Sequence, residues 1–556
     1  MPGQYMKQRK LTQAFYEPNR NWLIASVLIA IIITSPIIAI IWIAISPEEN
    51  VWLHLATSVL PTYIFNSVVL MLGVGTFVAI MGTGTAWLVA MCEFPGAKIF
   101  AWALILPMAM PAYVVAYVYT DFLEFAGPVQ TSLRMLFSWT TSSDYWFPQI
   151  RSLGGAITVL SLVLYPYVYA LTRASFLEQS ISTLEAGRVL GLTGVQNFFY
   201  TSLPLARPAI VVGVTLCLME TLSDFGTVDY FAVRTLTVGI FDVWFGMENR
   251  GGAAQIALVL LSFIIILIWL ERSSRKRQRF HNSSKNQLIK KTKLRGWRSL
   301  LAIFSCLIPI LTGFVLPSSI LVYHALGNIE GFYSAKYIEY AGNSFMLASS
   351  ATLIIVLIGV FLAYAARICP SLFVKIAVRV ASIGYAIPGA ALAIGILISI
   401  GAIDSIFTET MKLTFGVSAS LFVGSSLAAV LFGYTTRFLA IALGSAEAGL
   451  SKVTYNMDMA ARTLGSGPRE TLFSVHAPLI KSTIISGSVL VFVDIMKELP
   501  ATLILRPFNF ETLATFVYQY ASDELLNECA PAALTIVLAG LLPVLLLNRA
   551  IQNKTQ

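Results

Sequence analysis

Two pairs of acidic residues lie inside apolar stretches of the sequence, where charged side chains are costly. Glu220 and Asp224 are four residues apart, and Asp494 and Glu498 repeat that spacing later in the chain. On a helix, the two members of each pair would share one face. Ionisable groups at membrane depth usually face the protein interior or a water-filled pathway. Hard cations prefer carboxylate oxygens, so the four acids predict the lining of a pathway and a transient metal site.

Other interpretations of these residues stay open. Asp494 could form a structural ion pair with Lys497, three residues later, or the acids could lie just outside the hydrocarbon layer. Tyr165, Tyr167 and Tyr169 could add oxygen ligands, although a tyrosine stripe is more often packing or an interfacial belt.

The composition excludes a water-soluble protein. The chain has 556 residues, of which 57% are hydrophobic and only 12% charged, whereas soluble proteins contain roughly 25% charged residues. Its mean hydropathy of +0.77 is too high for a single membrane anchor. The five cysteines form no C-x-x-C pair, which argues against a zinc or iron-sulfur site and against a disulfide framework.

Apolar runs of about 20 residues mark the expected membrane spans. They lie near 22–46, 66–91, 99–122, 154–177, 207–226, 253–270, 300–323, 344–366, 377–400, 419–443, 483–502 and 530–548. The sequence therefore predicts an all-α polytopic membrane protein with about twelve transmembrane helices.

The positive charge is concentrated in one segment. Eleven of the basic residues, and no acidic residue, lie between Arg272 and Arg298, flanked by apolar runs. This pattern favours a cytoplasmic loop near anionic lipid over nucleic-acid binding. Basic residues also gather at both ends of the chain and in alternate loops, including the stretch from Arg437 to Lys481. We therefore expect both termini to face the cytoplasm.

The chain contains an internal repeat. At an offset of 274 residues Gly191 matches Gly465 and Pro204 matches Pro478, and at an offset of 277 Pro111 matches Pro388. This predicts a first half over 1–271, a basic linker over 272–298 and a second half over 299–556. Each half holds six predicted spans, so the halves insert in the same orientation, as parallel repeats around a pathway.

Each half carries a long cytoplasmic loop of the same pattern, over 185–204 and 459–478. A short helix-forming stretch is followed by a glycine, then by an amphipathic stretch and a proline just before a span. One copy would suit an ordinary surface turn. Two copies at matched positions indicate a repeated functional element.

These loops resemble the cytoplasmic signature of the permease subunits of ATP-binding-cassette importers, E-A-A, three residues, G, nine residues, I-x-L-P. The first copy matches at Glu185, Ala186, Gly191, Leu203 and Pro204, and the second has Met459 in the glutamate position and keeps Ala460, Ala461, Gly465 and Pro478. The resemblance implies the importer permease fold and coupling helices that dock onto ATPase subunits. Asp458 lies next to Met459, where the second copy lacks its acid.

The resemblance also implies partners. The chain has no Gly-Lys dipeptide and hence no phosphate-binding loop of the G-x-x-x-x-G-K-[ST] type. We therefore expect no cofactor on this chain and no enzymatic activity of its own, with ATP and Mg bound by two partner ATPase subunits. An external substrate-binding protein, membrane lipid and a bacterial inner-membrane location are implied as well.

The segments Leu218 to Val233 and Val493 to Thr515 are similar to those of fused ferric-iron importer permeases, so ferric iron is the expected cargo. Related permeases for thiamine, phosphonates, polyamines or molybdate remain alternatives. An ion-coupled secondary transporter is a further alternative, but such a carrier has no use for docking helices. A membrane-embedded enzyme would need a nucleophile and base, or metal-ligand spacing, and the sequence offers neither.

Overall fold

The computed structural model describes residues 20–179, 185, 187, 189–275, 291–369, 371–416 and 426–555. Ala186 and most of the predicted basic linker, residues 276–290, lie outside the described residues.

The described chain is almost entirely helical, as its apolar composition predicts. The helices up to the linker are α1 (Arg20–Ile45), α2 (Trp52–Thr57), α3 (Leu60–Met91), α4 (Ala97–Ala103), α5 (Ala112–Leu123), α6 (Pro128–Phe137), α7 (Leu153–Leu177), α8 (Gly194–Asn197), α9 (Leu203–Ser223), α10 (Gly226–Tyr230), α11 (Leu236–Phe241) and α12 (Arg250–Arg275). The helices after the linker are α13 (Trp297–Ile310), α14 (Leu316–Gly327), α15 (Ala335–Ile368), α16 (Leu372–Ala381), α17 (Gly389–Phe415), α18 (Leu427–Leu450), α19 (Tyr455–Thr463), α20 (Pro468–Thr471), α21 (Ala477–Met496), α22 (Pro500–Leu505), α23 (Leu513–Ser522) and α24 (Leu526–Thr555).

Shorter elements join some of these helices. The 3-10 turns are Leu106–Ala109, Ile329–Tyr333 and Ser382–Ala386, and the π-helical turns are Phe198–Ser202, Asp242–Gly246, Leu311–Val315 and Leu472–His476. Two short strands, β1 (Cys92–Glu93) and β2 (Thr292–Lys293), form a parallel pair in which Cys92 is opposite Thr292.

The prediction of about twelve spans is confirmed. Among the described residues, eleven helices are long and apolar enough to cross a membrane, or twelve when one sharply bent pair counts as a span. That pair, residues 97–109 and 112–137, bends by 90°. The predicted span near 99–122 is therefore a bent pair of helices and not one continuous helix. Pro107 and Pro111 lack the N–H that a continuous helix needs, so the chain breaks between them.

The predicted span over 377–400 is interrupted in the same way. Helix α16 ends at Ala381, the 3-10 turn Ser382–Ala386 follows, and α17 begins at Gly389 after Pro388. The matched prolines at 111 and 388 thus each precede a helix that starts afresh, as the repeat would require.

The described helices belong to two compact units. The first falls within Met1–Ser46 and Gly342–Glu511, and the second within Pro47–Ala341 and Thr512–Gln556. In the first unit, α1 packs against α16 and α17, and α18 packs against α21. In the second, α3, α7 and α9 pack together and α14 packs against α24. The first unit therefore includes α1 from the first half of the sequence, and the second unit includes α13, α14, α23 and α24 from the second half. The half boundaries themselves stay a prediction.

Candidate functional site

The two predicted coupling turns have the same backbone geometry. Gly191 has φ +83° and Gly465 has φ +86°, a left-handed conformation that favours glycine because other residues carry a Cβ. After α19, Ser466 N donates to Ala461 O at 3.0 Å and Gly465 N donates to Arg462 O at 2.9 Å. This pair of bonds is the Schellman helix end. In the first copy Leu192 N makes the matching bond to Gly187 O, also at 3.0 Å.

Each turn presents an unpartnered apolar side chain. Leu190 is 81% exposed and Leu464 is 86% exposed, each directly before its glycine. Neither leucine lies within a candidate membrane span. Two large apolar side chains exposed at matched positions are suited to bind partner proteins.

The predicted prolines lie inside continuous helices. The helix from Gly194 runs to Ser223, and Pro204 is the second residue after the π-helical turn Phe198–Ser202. Pro478 follows the matching turn Leu472–His476. The wider π turn relieves the contact between a proline ring and the preceding turn of a helix. Both predicted loops therefore turn at the glycine and then run as helix into the span.

The other predicted coupling residues are placed around these turns. Glu185 and Ala460 are exposed, Met459 is 43% exposed and Ala461 is buried. The first copy thus presents a carboxylate beside its turn, whereas the second presents Met459 in the matching place.

Asp458 does not replace the missing acid, because it is buried and paired. Its carboxylate accepts hydrogen bonds from Arg367 Nε at 3.0 Å, Arg367 Nη2 at 2.8 Å and His476 Nε2 at 2.5 Å. Arg367 also donates to the backbone oxygens of Leu450 and Val453. Burial acts to raise the pKa of Asp458, but the bonds from His476 and Arg367 hold it below its usual value. The cluster ties α19 to the ends of α15, α18 and α21.

The prediction that each acid pair shares one helix face is wrong, because both helices end between the two acids. Helix α9 ends at Ser223, and Asp224 has an extended backbone. Its carboxylate accepts from Thr227 N at 3.1 Å, Thr227 Oγ1 at 3.0 Å and Val228 N at 3.2 Å. Asp224 therefore caps the start of α10, as short acidic side chains do at helix beginnings.

Glu498 also caps the start of a short helix, in the other unit. Helix α21 ends at Met496, and Glu498 Oε1 accepts from Ala501 N at 3.0 Å at the start of α22. This backbone donor lies 274 residues after that of Thr227, so the caps follow the repeat. Glu498 also lies 3.4 Å from Arg437 Nη1, and both side chains are buried.

Glu220 and Asp494 lie within their helices and are both partly exposed. Lys497 Nζ is 3.9 Å from Asp494 Oδ1, so the structural pairing considered from sequence is present as a long ion pair. No group of three or more His, Cys, Asp or Glu side chains in the described ranges could hold a metal ion. The two acid pairs belong to different compact units, and the ring of four carboxylates stays a prediction.

Two of the three tyrosines, Tyr165 and Tyr169, favour the packing interpretation, whereas Tyr167 is partly exposed. Tyr165 and Tyr169 are completely buried, and Tyr169 donates a hydrogen bond to Ala101 O at 2.9 Å.

Arg437 and Gly389 are the residues that sequence reasoning missed. Arg437 lies inside α18, so its use as a marker of a cytoplasmic stretch is wrong. A lone arginine within the apolar run 427–443 was the available signal, because such a charge needs a buried partner. A Cβ on Gly389 would overlap Arg437 Nη1 and lie 2.7 Å from Glu498 Oε1. Glycine is required there by the ion pair that passes over it.

Comparisons with known proteins agree with this architecture. Residues 82–280 match the family described as binding-protein-dependent transport system inner membrane component. The chain is 24% identical over 491 residues to an Fe(3+)-transport system permease protein, FbpB 2, of Haemophilus influenzae, which covers 87% of this chain and 89% of that protein.

Other relatives match a shorter part of the chain. The molybdenum transport system permease protein ModB of Escherichia coli is 27% identical over 202 residues, which are 34% of this chain and 85% of that protein. The sulfate transport system permease protein CysW of Escherichia coli is also 27% identical over 202 residues, or 65% of its length. With its many apolar helices and the family match over residues 82–280, the chain resembles the inner-membrane permeases of ATP-binding-cassette importers, and over most of its length a ferric-iron permease.

Proposed function

We propose that this permease forms the translocation pathway for ferric iron, which an external binding protein delivers and two partner ATPase subunits drive. The observation that supports ferric iron as the cargo is the similarity to a ferric-iron permease over 87% of the chain, across both halves. The molybdenum and sulfate relatives match only 34% of the chain each.

The chemistry of the partly exposed acids supports a cationic cargo. Glu220 and Asp494 occupy matched positions, 274 residues apart, each in the last turn of its helix. Carboxylates stabilise a multivalent hard cation that has lost part of its water shell. Asp224 and Glu498 contribute by holding the helix breaks through their caps. In this proposal Glu220 and Asp494 line the pathway, and the other two acids shape it.

The coupling turns supply the link to ATP hydrolysis. Leu190 and Leu464 insert into the partner ATPases, which approach from the cytoplasm, and the left-handed glycines set the angle of approach. Each turn continues as helix into a span, so a movement of the docked subunit is transmitted along α8 and α9, or along α20 and α21. Hydrolysis itself takes place on the partner chains.

Oxyanions form the second candidate cargo class, because the molybdenum and sulfate permeases are each 27% identical to this chain over 202 aligned residues. Uptake into reconstituted vesicles that contain the permease, its ATPase and its binding protein distinguishes ferric iron from an oxyanion as the cargo. We expect ATP-dependent uptake of radiolabelled ferric iron and none of radiolabelled molybdate. Molybdate uptake without iron uptake would overturn the iron assignment.

The acids are tested in the same vesicles. We expect the double variant Glu220→Gln/Asp494→Asn to lose most iron uptake, because the barrier for a multivalent cation rises when two negative charges are removed. The control Glu48→Gln/Glu330→Gln removes two exposed acids and should transport normally. A purely structural role for Asp494 predicts instead that Asp494→Asn/Lys497→Met regains function.

A further inference from the structure

The two halves of the sequence carry matched surfaces where the second span of each half ends. Helix α4 follows α3, and α16 follows α15. At the offset of 277, Lys98 on α4 matches Lys375 on α16, and Val89 on α3 matches Ala366 on α15. At the offset of 274, Arg173 matches Glu447.

In the second unit, the last part of the predicted linker, residues 291–294, covers this surface. Strand β2 pairs with β1, and Leu294 N donates to Glu93 O at 3.0 Å. Lys291 Nζ donates to Val89 O at 2.9 Å. Burial lowers the pKa of Lys291, and the nearby charge of Arg173 lowers it further. The chain segment Lys291 to Leu294 thus covers the surface formed by the end of α3 and by β1.

In the first unit, the described residues of the matched surface line a pocket. It has a volume of about 540 Å³. Its lining includes Ala366, Lys375, Arg379, Ser382, Gly444 and Glu447. These residues come from α15, from α16 and the 3-10 turn after it, and from α18. The glutamate at 447, where the first half has Arg173, gives this pocket charges of both signs.

Among the residues that the structure describes, the charged side chains of the pocket have no ion-pair partner. None of the ion pairs within the described ranges involves Lys375, Arg379 or Glu447, and all three residues are exposed. Beside them, α16 exposes Leu372 (69%), Phe373 (67%) and Ile376 (49%). A short helix with exposed apolar residues and two basic residues is typical of an element at the membrane interface.

We propose that this pocket binds the headgroup of a phospholipid that carries both a phosphodiester and a primary ammonium group. Lys375 and Arg379 contact the phosphate, because guanidinium and ammonium groups donate to its oxygens. Glu447 accepts hydrogen bonds from the ammonium group. The exposed apolar side chains of α16 contact the acyl chains, which favours a lipid over a soluble phosphate ester.

The chain offers a variant that fills the pocket without changing its charge. Gly444 lines the pocket, and a Cβ built on it meets no atom within 4 Å. Gly444→Phe would therefore occupy the space with little strain in α18. Gly401 in α17 is a matched control, since it is an exposed helix glycine with equally open surroundings and lies outside the pocket lining.

Native mass spectrometry of the purified full chain tests the proposal. The protein is incubated with phosphatidylethanolamine, phosphatidylcholine and phosphatidylglycerol of identical acyl chains, and the retained lipids are counted. We expect the parent to prefer phosphatidylethanolamine. Glu447→Gln should lower that preference roughly tenfold, as expected for the loss of a hydrogen bond to a charged group. Gly444→Phe should abolish retention, whereas Gly401→Phe should retain the lipid as the parent does.

Equal retention of the three lipids by the parent, or unchanged retention in Gly444→Phe, would overturn the proposal. Loss of a partner ATPase from Glu447→Gln, with lipid retention unchanged, would assign the pocket to a protein partner and overturn it as well. Monodispersity in size-exclusion chromatography checks the fold of each variant, and Lys375→Gln provides a second charge variant. The lipid readout needs no cargo, so its failure is distinguishable from failure of the iron assignment.

Discussion

The two coupling turns have the same shape but are anchored by different chemistry. In the first copy, the ring of Phe198 lies 5.0 Å from that of Trp87 and 6.3 Å from that of Phe176. In the second copy, Leu472 occupies the position of Phe198, and the anchor is the buried cluster of Arg367, Asp458 and His476.

The two different anchors show which features the turn itself requires. Both copies keep a left-handed glycine and a π-helical turn before a proline, because these set the backbone path. The anchor only has to hold that path against the spans, and aromatic packing or a charge cluster can do so. A charge cluster is the less tolerant anchor, since removing one member leaves a buried charge unpaired.

The largest effect should come from breaking the charged anchor. Asp458→Asn leaves Arg367 without its carboxylate in a buried position, and loss of one partner of such a pair costs about 3 to 5 kcal/mol. We expect a clearly lower midpoint of thermal unfolding for the purified chain in detergent. Phe198→Leu, which gives the first copy the residue of the second, should cost less than about 1.5 kcal/mol.

A triple variant sharpens this test. Asp458→Leu/Arg367→Ala/His476→Ser installs the residues found at the matched positions of the first half, Leu184, Ala90 and Ser202. It removes the whole charge cluster, so it should be more stable than Asp458→Asn alone. A triple variant less stable than the single one would show that the cluster does more than anchor the turn.

The charged anchor should also give a pH dependence that the aromatic anchor lacks. The pKa of Asp458 is lower in the folded chain than in the unfolded chain, so its stabilisation is complete above the ordinary aspartate value of about 4. It is lost as the pH falls through the lower, folded value. The difference in unfolding midpoint between the parent and Asp458→Asn should therefore stay constant from neutral pH downwards and shrink below about pH 4. A difference that grows in acid would contradict this assignment.

A smaller effect is expected where the ion pair crosses Gly389. The first half has Ala112 in the matching place and Val163 in the place of Arg437. Gly389→Ala forces the Arg437–Glu498 pair to move, and overpacking of this kind costs about 1 to 3 kcal/mol. Ala112→Gly is the matched control and should cost only about 0.5 to 1 kcal/mol, through backbone entropy. Equal thermal midpoints for the parent and Gly389→Ala would remove the reason given for this glycine.

The smallest effect should follow cleavage of the chain within residues 276–290. The basic composition of this segment is that of a tether. The residues that follow it are held by α3, through the bond from Lys291 to Val89 O, and by β1, through its pairing with β2. With a protease site inserted within residues 276–290 and cut, the two fragments should co-purify and uptake should stay within about twofold of the uncut protein. Fragments that remain together but no longer transport would contradict the tether interpretation.

The sequence predicted the spans, the repeat and the coupling turns, because each depends on local or periodic patterns. Gly191 and Gly465 could be placed in turns because glycine followed by a proline-headed span is a local signal. The roles of Asp224 and Glu498 could not be predicted from spacing alone. A spacing of four residues indicates a shared helix face only if the helix continues, and both helices end between the acids.

Ion pairs between residues far apart in the sequence could not be predicted either. Arg367 and Asp458 are 91 residues apart, and Arg437 and Glu498 are far apart as well. One sequence contains no signal that pairs two such charges. It shows only that each is a costly residue in an apolar or half-buried setting and needs a partner.

The central claim is that the two turns bind ATPase subunits through Leu190 and Leu464. Native mass measurement of the complex purified with its ATPase tests this most directly, with Leu190→Asp/Leu464→Asp compared with the parent. The control is Phe508→Asp, since Phe508 is 94% exposed and lies beyond the far end of α21. We predict one permease with two ATPase subunits for the parent and for the control, and the permease alone for the double variant. Two ATPase subunits retained by the double variant would contradict the account.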